Sequence, residues 1–586
     1  MRIKTQAQLK SAVWLLGLAA ILTGLSPLTV AADPLWTHRP AQEIKWYRLS
    51  DLGSLLVGTE GSLYCLDPES GKPVWQRDDL KKIEEFEIHE ISGTPLLLVQ
   101  DNTGFTQAKT RLFAVDLLTG QTIWQTDQLK GHTVQVAPDY DKDLVLFLTV
   151  KNNSMNRDKP DITALRLSSG ELLWHAEYTE KVDLYGIERG SRYFPKYDLS
   201  GANPPVFDGD SVYLTYAGLH RYNLSDGRLV WKVAYDITEG SIKRGNAQAV
   251  IDGDVIYTSA KGQVRAIDKA TGRIRWTSKD FGGAIAEMMV SGEVIYGRLG
   301  GVFYDFGQRE YVQKRPHGVV ALDKKTGAAA WTYDGAKNSI TNLLLLREQN
   351  QILIADEKNL IGLDLNSRGN VKEAFKLRLE FKYNLGAAAT MAKVAKFGFG
   401  GLSAFGSKGA DTTDEPVAIS HRENGTVVVR GRQHLLAFDP RSRQIAWSVK
   451  YEAPGVSGWQ KIAMAAITAA SAYLNLGQEA YYAQRGNSFA ADRANKNFIS
   501  AMSAYEQFAA KRFTATKSSG NYTYVLTSIT AGKEKGAGLI GVNMMTGQGE
   551  RQVLFRDKDP DYRVDETTGR IFNLRSPKEL SAFVIK

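Results

Sequence analysis

One short pattern, returning about every fifty residues, constrains this chain more than anything else in it. Its clearest copy is Arg265-Ala266-Ile267-Asp268-Lys269-Ala270-Thr271-Gly272-Arg273-Ile274-Arg275-Trp276. Arg265 to Asp268 alternates polar and apolar residues, the period of a half-buried strand. Asp268 and Thr271 can bond the turn's own N–H groups, and Gly272 can adopt the positive φ that closes it. Arg273 to Trp276 returns as a second strand and offers a large apolar face to a neighbour. Such a hairpin is not stable alone in water. The same spacing recurs at Gly71/Trp75, Gly120/Trp124, Gly170/Trp174, Gly227/Trp231 and Gly327/Trp331, and again before Trp447. The Trp-to-Trp steps of the first six copies are 49, 50, 57, 45 and 55. Weaker copies without the Trp lie at Gly362-Leu363-Asp364, at Gly541-Val542-Asn543 with Thr546-Gly547, and at Leu580-Ser581-Ala582-Phe583. Repeats of this length, each holding several short strands, indicate a propeller or another closed array. The expected fold is all-β: a single β-propeller of four-stranded blades, eight to ten of them, with ten repeats counted. Recurrence makes the Asp, Gly and Trp of the pattern architectural.

The ends and the interruptions complete the expected organisation. Residues 33–40 read as a strand with no partner of its own, while the last unit lacks its outer strand. An open ring leaves an exposed edge that invites aggregation. Residues 33–586 are therefore expected to form a propeller closed by its own N-terminal strand. Unit six carries a hairpin-like excursion from Phe303 to Pro316, and residues 181–203 form a longer connection. Residues 385–412 are Ala- and Gly-rich and include Phe397 and Phe399. Residues 456–514 read as an inserted α-helical hairpin: one helix from Trp459 to Leu476, and a second within Asp492 to Phe513 that places Phe498, Met502 and Tyr505 at helical spacing. Trp459, Phe397 and Phe399 are the candidate partner contacts.

Composition narrows the setting. Arg2, Lys4 and Lys10, the apolar run Ala12 to Ile21 and the small residues Val30-Ala31-Ala32 read as a signal peptide over 1–32, which places the mature chain outside the cytoplasm. No Cys lies near that cleavage site, so a lipoprotein is not expected. The single cysteine, Cys65, excludes an intramolecular disulfide and any Cys-based metal site. The net charge of +9 is dispersed along the chain, and nucleic acid is not an expected partner.

The repeat, Ala-x-Asp-x-x-Thr-Gly-x-x-x-Trp in its best copies, resembles that of the pyrroloquinoline-quinone-like β-propeller superfamily. The resemblance covers nearly all of residues 45–586 outside the two insertions. It implies tryptophans packed in a ring between blades, and the repeat itself does not confer cofactor binding. The superfamily includes quinoprotein dehydrogenases, many with a vicinal Cys pair beside the cofactor. It also includes a non-catalytic envelope protein of the machinery that assembles outer-membrane β-barrels, and this chain is closest in character to that member. The other candidate motifs have structural explanations. Asp139 to Asp143 lacks the Gly and Glu of a calcium loop. Gly536 to Gly541 matches a dinucleotide fingerprint but enters a strand. The eight histidines show no ligand spacing. The expected function is a non-catalytic scaffold, without a cofactor, in the periplasm or at the outer-membrane periphery, binding envelope proteins through loops and the helical insertion. A divergent quinoprotein oxidoreductase and an adaptor at a membrane surface are the alternatives.

Overall fold

The structure, a computed structural model, describes residues 33–584 apart from 104–108, 152–156, 188–195, 200–201, 243, 309, 382–413, 423, 455–494, 506–507, 509–521, 556 and 558–559. Ten antiparallel sheets follow one another along the chain and form a ten-bladed propeller. Blade 1 runs from Ile44–Leu49 to Pro73–Arg77, blade 2 from Ile88–Glu90 to Thr122–Thr126, and blade 3 from His132–Asp139 to Leu172–Glu177. Blade 4 spans Val206–Asp208 to Leu229–Ala234, blade 5 Val250–Asp252 to Ile274–Thr277, and blade 6 Ile285–Ser291 to Ala329–Tyr333. Blade 7 spans Leu344–Leu346 to Glu373–Arg378, and blade 8 Ala418–His421 to Gln444–Lys450. Blade 9 shows three described strands, from Tyr522–Ala531 to Gly549–Leu554. Within each blade consecutive strands pair, so the expectation of eight to ten blades resolves at ten.

The strand pattern follows from the sequence. The second and third strands, such as Leu55–Thr59 and Leu63–Leu66, are buried on both faces and read as unbroken apolar runs. The fourth strands alternate, as in Leu229–Ala234, because one edge and part of one face meet solvent. Each seam Trp then reaches the next blade. Trp75 donates its indole N–H to the Leu117 carbonyl (2.9 Å), and Trp124 does the same to Leu167 (2.9 Å). Trp174 donates to Leu224 (2.6 Å), Trp231 to Lys269 (3.2 Å) and Trp276 to Lys324 (3.2 Å). In every case the acceptor lies three residues before the repeat glycine. That glycine, at φ +66 to +73°, lies beneath the ring of the preceding blade. A Cβ on Gly120 would stand 2.6 Å from Trp75, and one on Gly227 2.3 Å from Trp174. The turn requires a positive φ and the ring requires the missing Cβ, so only glycine meets both demands.

The two ends of the chain meet. The strand Trp36–His38 pairs antiparallel with Glu579–Val584 and forms the fourth strand of blade 10, whose first strand is Asp561–Asp565. Trp36 then takes the seam position. It donates to the Pro68 carbonyl (3.1 Å) and covers Gly71, where a Cβ would approach its ring to 2.5 Å. Three seams depart from the pattern. At the junction of blades 6 and 7 the turn is longer, with the Asp364 N–H bonding the Lys372 carbonyl (3.0 Å), and a short strand at Gly369–Asn370 pairs in parallel with Trp331 and Thr332 instead of placing a glycine beneath the ring. At the junction of blades 9 and 10 there is no turn to cover, because the third and fourth strands of blade 10 come from opposite chain ends. Arg551 stands there and lies 4.3 Å over the Tyr522 ring. At the junction of blades 7 and 8, Phe375 replaces the Trp and Arg443 (φ +58°) replaces the Gly.

The described helix occupies residues 496–505, inside the inserted segment between blades 8 and 9. Asn495 caps it: its side-chain oxygen accepts from the Asn497 N–H (2.8 Å). Phe498 and Ala501 are buried in the core between blades 2 and 3, and Tyr505 is buried in that between blades 1 and 2. The expected first helix of the insertion, Trp459 to Leu476, lies outside the described residues.

Candidate functional site

An up-and-down blade has two unlike ends. The turns joining strands one to two and three to four lie at one end. The turns joining two to three, and the connections between blades, lie at the other. The repeat's Asp and Gly make tight turns at the first end, the turn face. Asp323 accepts from the N–H groups of Lys325 and Thr326 there, and Asp268 from Thr271 (2.9 Å). Among the described residues, the hairpin of blade 6 and the helix between blades 8 and 9 interrupt the repeat on the side of the second end, the connection face.

The largest described structure on that face is the hairpin of blade 6. Its strands Val294–Asp305 and Glu310–Asp323 run on past the blade. The register slips at Gly300 and Gly301, both at positive φ, and a Cβ on Gly301 would strike the Arg298 guanidinium. The glycines let the hairpin turn away from the blade. Its tip is held on one side by Asp305, buried at 3% exposure. Asp305 accepts from Ser241 Oγ (2.5 Å), which holds its carboxyl below the usual range, and from the N–H groups of Gly307 (2.9 Å) and Gln308 (3.1 Å). Ser241 belongs to the connection between blades 4 and 5. On the other side, Gln313 donates to Glu415 (3.4 Å), which precedes blade 8 and also receives Arg432 (3.1 Å). One hairpin is thus braced from the blade 4–5 connection to the blade 7–8 connection.

Beside the Ser241 brace lies a small open cleft between blades 4 and 5. Tyr235 forms one wall, donating to Thr258 (2.8 Å) beneath the Arg265 guanidinium at 4.6 Å. Asn246 forms another. Its amide N–H is held by the Ile237 carbonyl (2.7 Å), which leaves its side-chain oxygen buried without a partner. Elsewhere on the face two aspartates fasten connections to turns. Asp414 is wholly buried and accepts from the backbone N–H groups of Arg432, Gln433 and His434, each at 2.9 Å. Asp356 does the same for Lys337, Lys358 and Asn359.

The residues singled out in the sequence divide cleanly. Trp75, Trp124, Trp174, Trp231, Trp276, Trp331 and Trp447 sit at blade seams, and Gly71, Gly120, Gly170, Gly227, Gly272 and Gly327 sit in turn-face turns. Trp459, Phe397 and Phe399 lie outside the described residues. Gly536 to Gly541 is inside the strand Glu534–Asn543. Sequence reading missed Trp36, Asp305 and Asp414. The Asp-x-Gly of Asp305-Phe306-Gly307 was the available signal, since Asp before Gly marks a side-chain-capped turn.

The described residues do not fit a quinone cofactor of the dehydrogenase kind. Cys65 has no neighbouring cysteine; it stands opposite Trp75, in the slot that Ala114, Ala164 and Ala266 fill in other blades. Burial pushes its thiol up to about 12. Among the described residues no three His, Cys, Asp or Glu side chains stand close enough to hold a metal ion. We expect Cys65 to ignore a maleimide at pH 7.5 in the folded protein and to react fully in guanidinium, with mass spectrometry as the readout. Fast labelling of the folded chain would contradict its packing role.

The family model described as outer membrane protein assembly factor BamB matches residues 30–183 and 217–372, just over half of the chain. No curated protein matches. Solved structures similar to the chain include BamB from Moraxella catarrhalis, with 14% identity, a TM-score of 0.32, and coverage of 70% of this chain and 97% of that one. Another is the quinohemoprotein alcohol dehydrogenase ADHIIG from Pseudomonas putida HK5, with 12% identity, a TM-score of 0.30, and coverage of 72% and 68%. A third is the computationally designed Ika8 protein, with 10% identity, a TM-score of 0.33, and coverage of 67% and 94%. By its repeat, its sheets and the span of the matching family model, the chain belongs to the PQQ-like β-propeller family described as outer membrane protein assembly factor BamB.

Proposed function

We propose that this protein is a non-catalytic scaffold of the bacterial cell envelope that holds protein partners on its connection face. One observation carries the reading: the described excursions from the repeat gather at one end of the blades, and the longest is braced at both sides rather than left to wave. A braced hairpin loses little conformational freedom when a partner docks, so more of the contact energy appears as affinity. The turn face, by contrast, is a ring of closed, self-bonded turns. The basic and apolar N-terminal residues support export, and the family's printed description supports a place in outer-membrane protein assembly. Among the described residues no helix is long and apolar enough to cross a membrane.

The test is site-specific photo-crosslinking in cells. A photoreactive residue at Gln308, exposed at the hairpin tip, is expected to trap envelope proteins. The same residue at Lys325, exposed in a turn-face turn, is expected to trap none. Equal yields from both faces, or none from Gln308, would overturn the assignment of the face.

A further inference from the structure

The cleft between blades 4 and 5 is lined by oxygen acceptors that are short of donors. Asn246 is fixed from two sides. Its side-chain N–H donates to the Ile237 carbonyl (2.7 Å), and its backbone carbonyl accepts from the Asn203 side chain (3.0 Å). Exchanging the two ends of the amide would set its oxygen against the Ile237 carbonyl, so the oxygen is the atom left over, buried without a partner. The Thr215 hydroxyl comes from the turn joining the second and third strands of blade 4. It belongs to the same cleft and is also buried without a partner. Glu239 supplies the third acceptor. Its carboxylate accepts one described hydrogen bond, from the Lys261 N–H (3.2 Å). Burial, helped by Asp236 and Asp280, holds its carboxyl above the usual range.

An unpaired buried acceptor is costly, and a half-buried carboxylate without a counter-charge is more so. Lys261 does not supply that charge in full, since its ammonium pairs with Asp236 (3.3 Å). The three acceptors, one of them charged, select the donor. A primary ammonium is a compact point charge with three N–H donors. A guanidinium is a flat fork of five, and a small cleft with three acceptors would leave two of them unpaired. A neutral hydroxyl or amide would leave the carboxylate's charge unanswered. Ile237 and Ile242 also line the cleft and offer apolar surface to the methylene stem behind an ammonium. Arg244 stands exposed at the same cleft, yet the carboxylates of Glu239, Asp236 and Asp280 outnumber the cations of Lys261 and Arg244.

We propose that this cleft is a binding site for a primary ammonium group, seated on Glu239, Asn246 and Thr215. A lysine side chain and the free amino end of a chain present the same three donors, and both are sources of such a group. The site adjoins the Ser241 brace but does not depend on the hairpin's holding a partner.

Saturation-transfer NMR on the purified full chain at neutral pH tests it, with 1-aminobutane as the probe and 1-butanol as its uncharged match. The amine is expected to bind at least tenfold more tightly than the alcohol. Glu239→Gln keeps the shape and removes the charge, and is expected to weaken amine binding at least tenfold. Thr215→Val is expected to weaken it at least threefold. That change replaces a partnerless hydroxyl by a methyl group, so the fold is kept, with an unchanged urea midpoint as the check. N-acetyl-lysine methylamide and glycine methylamide separate the two sources: binding of the first points to a side chain and of the second to a chain end, and either supports the site. Equal binding of amine and alcohol overturns the proposal. So does an amine affinity that both variants leave unchanged, or binding of neither amide, which would leave these acceptors to water alone.

Discussion

Between pH 7 and pH 5 the folded protein is expected to lose about 6 kcal/mol of stability through three histidines, about 2 kcal/mol each. His89, His220 and His434 are each held at about 4 by burial, against an ordinary value of 6.5. The cause is the same at each site: a ring nitrogen buried with nothing to receive a second proton. His220 shares a proton with the Tyr178 hydroxyl through Nδ1 (2.6 Å), and its Nε2 is buried without a partner. The nearby Glu180 favours the charged ring, but it already pairs with Lys232 at 2.6 Å. His434 bonds Ser448 through Nε2 (2.8 Å), stacks on Phe381 at 4.3 Å, and has an unpartnered Nδ1. His89 has an unpartnered Nε2, with Arg48 close enough to repel a proton. Above pH 6.5 these rings are neutral in both states and nothing is lost. As pH falls from 6.5 towards 4 the unfolded chain takes up protons that the folded chain refuses, so stability falls with pH. Asp143, Asp414 and Glu566, pushed up by burial, act in the opposite direction and return part of the loss at the acid end. Urea unfolding at pH 7 and pH 5 measures the net effect. His220→Gln and His434→Gln isolate it: each is expected to shrink the difference between the two pH values by about 2 kcal/mol, whatever it does to stability at pH 7. A pH difference that both variants leave intact would place the acid lability elsewhere.

The architecture was legible because a propeller writes each blade locally. Asp268, Gly272 and Trp276 fall within one hairpin, so strand, turn and seam can be read from twelve consecutive residues. What escaped was whatever depends on residues far apart. Trp36 takes the seam position between blades 10 and 1, but the strand that makes it one ends more than five hundred residues later, as the Thr37–Ser581 contact shows. The helical face of Phe498, Met502 and Tyr505 was plain from its spacing, whereas its seat was not, since Asn495 meets Ile123 across 372 residues. The hairpin excursion at Phe303 to Pro316 was visible as an insertion. Its braces were not, because Ser241 and Glu415 carry no local mark of the partners they find. The candidate site on the connection face is therefore a product of closure: loops from distant blades come together only once the ring exists.

Replacing Gly227 by Ala is expected to destabilise the protein by about 2–5 kcal/mol, about 1–2 for a side chain at φ +70° and about 1–3 for the collision of its Cβ with Trp174 at 2.3 Å. Trp174→Ala alone is expected to cost about 3–5 kcal/mol, since the ring is 6% exposed and its N–H bonds the Leu224 carbonyl. The chain carries the compensated form of this pair at another seam. Between blades 7 and 8, Phe375 stands where the Trp would be, and Arg443 occupies the glycine position at φ +58°, its guanidinium 5.6 Å from the Phe375 ring. The turn bond survives there, from the Arg443 N–H to the Asp439 carbonyl (2.8 Å), as from Gly227 to Asn223 (2.9 Å). A six-membered ring ends short of the space that an indole fills, so the turn residue can keep its Cβ. The collision term then depends on the indole and the backbone term does not. Trp174→Phe combined with Gly227→Ala is accordingly expected to cost at least about 1 kcal/mol less than the sum of the two single changes, the size of coupling usual for residues in contact. Urea unfolding of the four proteins of the cycle measures it. Strict additivity would mean that glycine is required by the turn alone, and that Phe375 and Arg443 share a seam without any steric bargain between them.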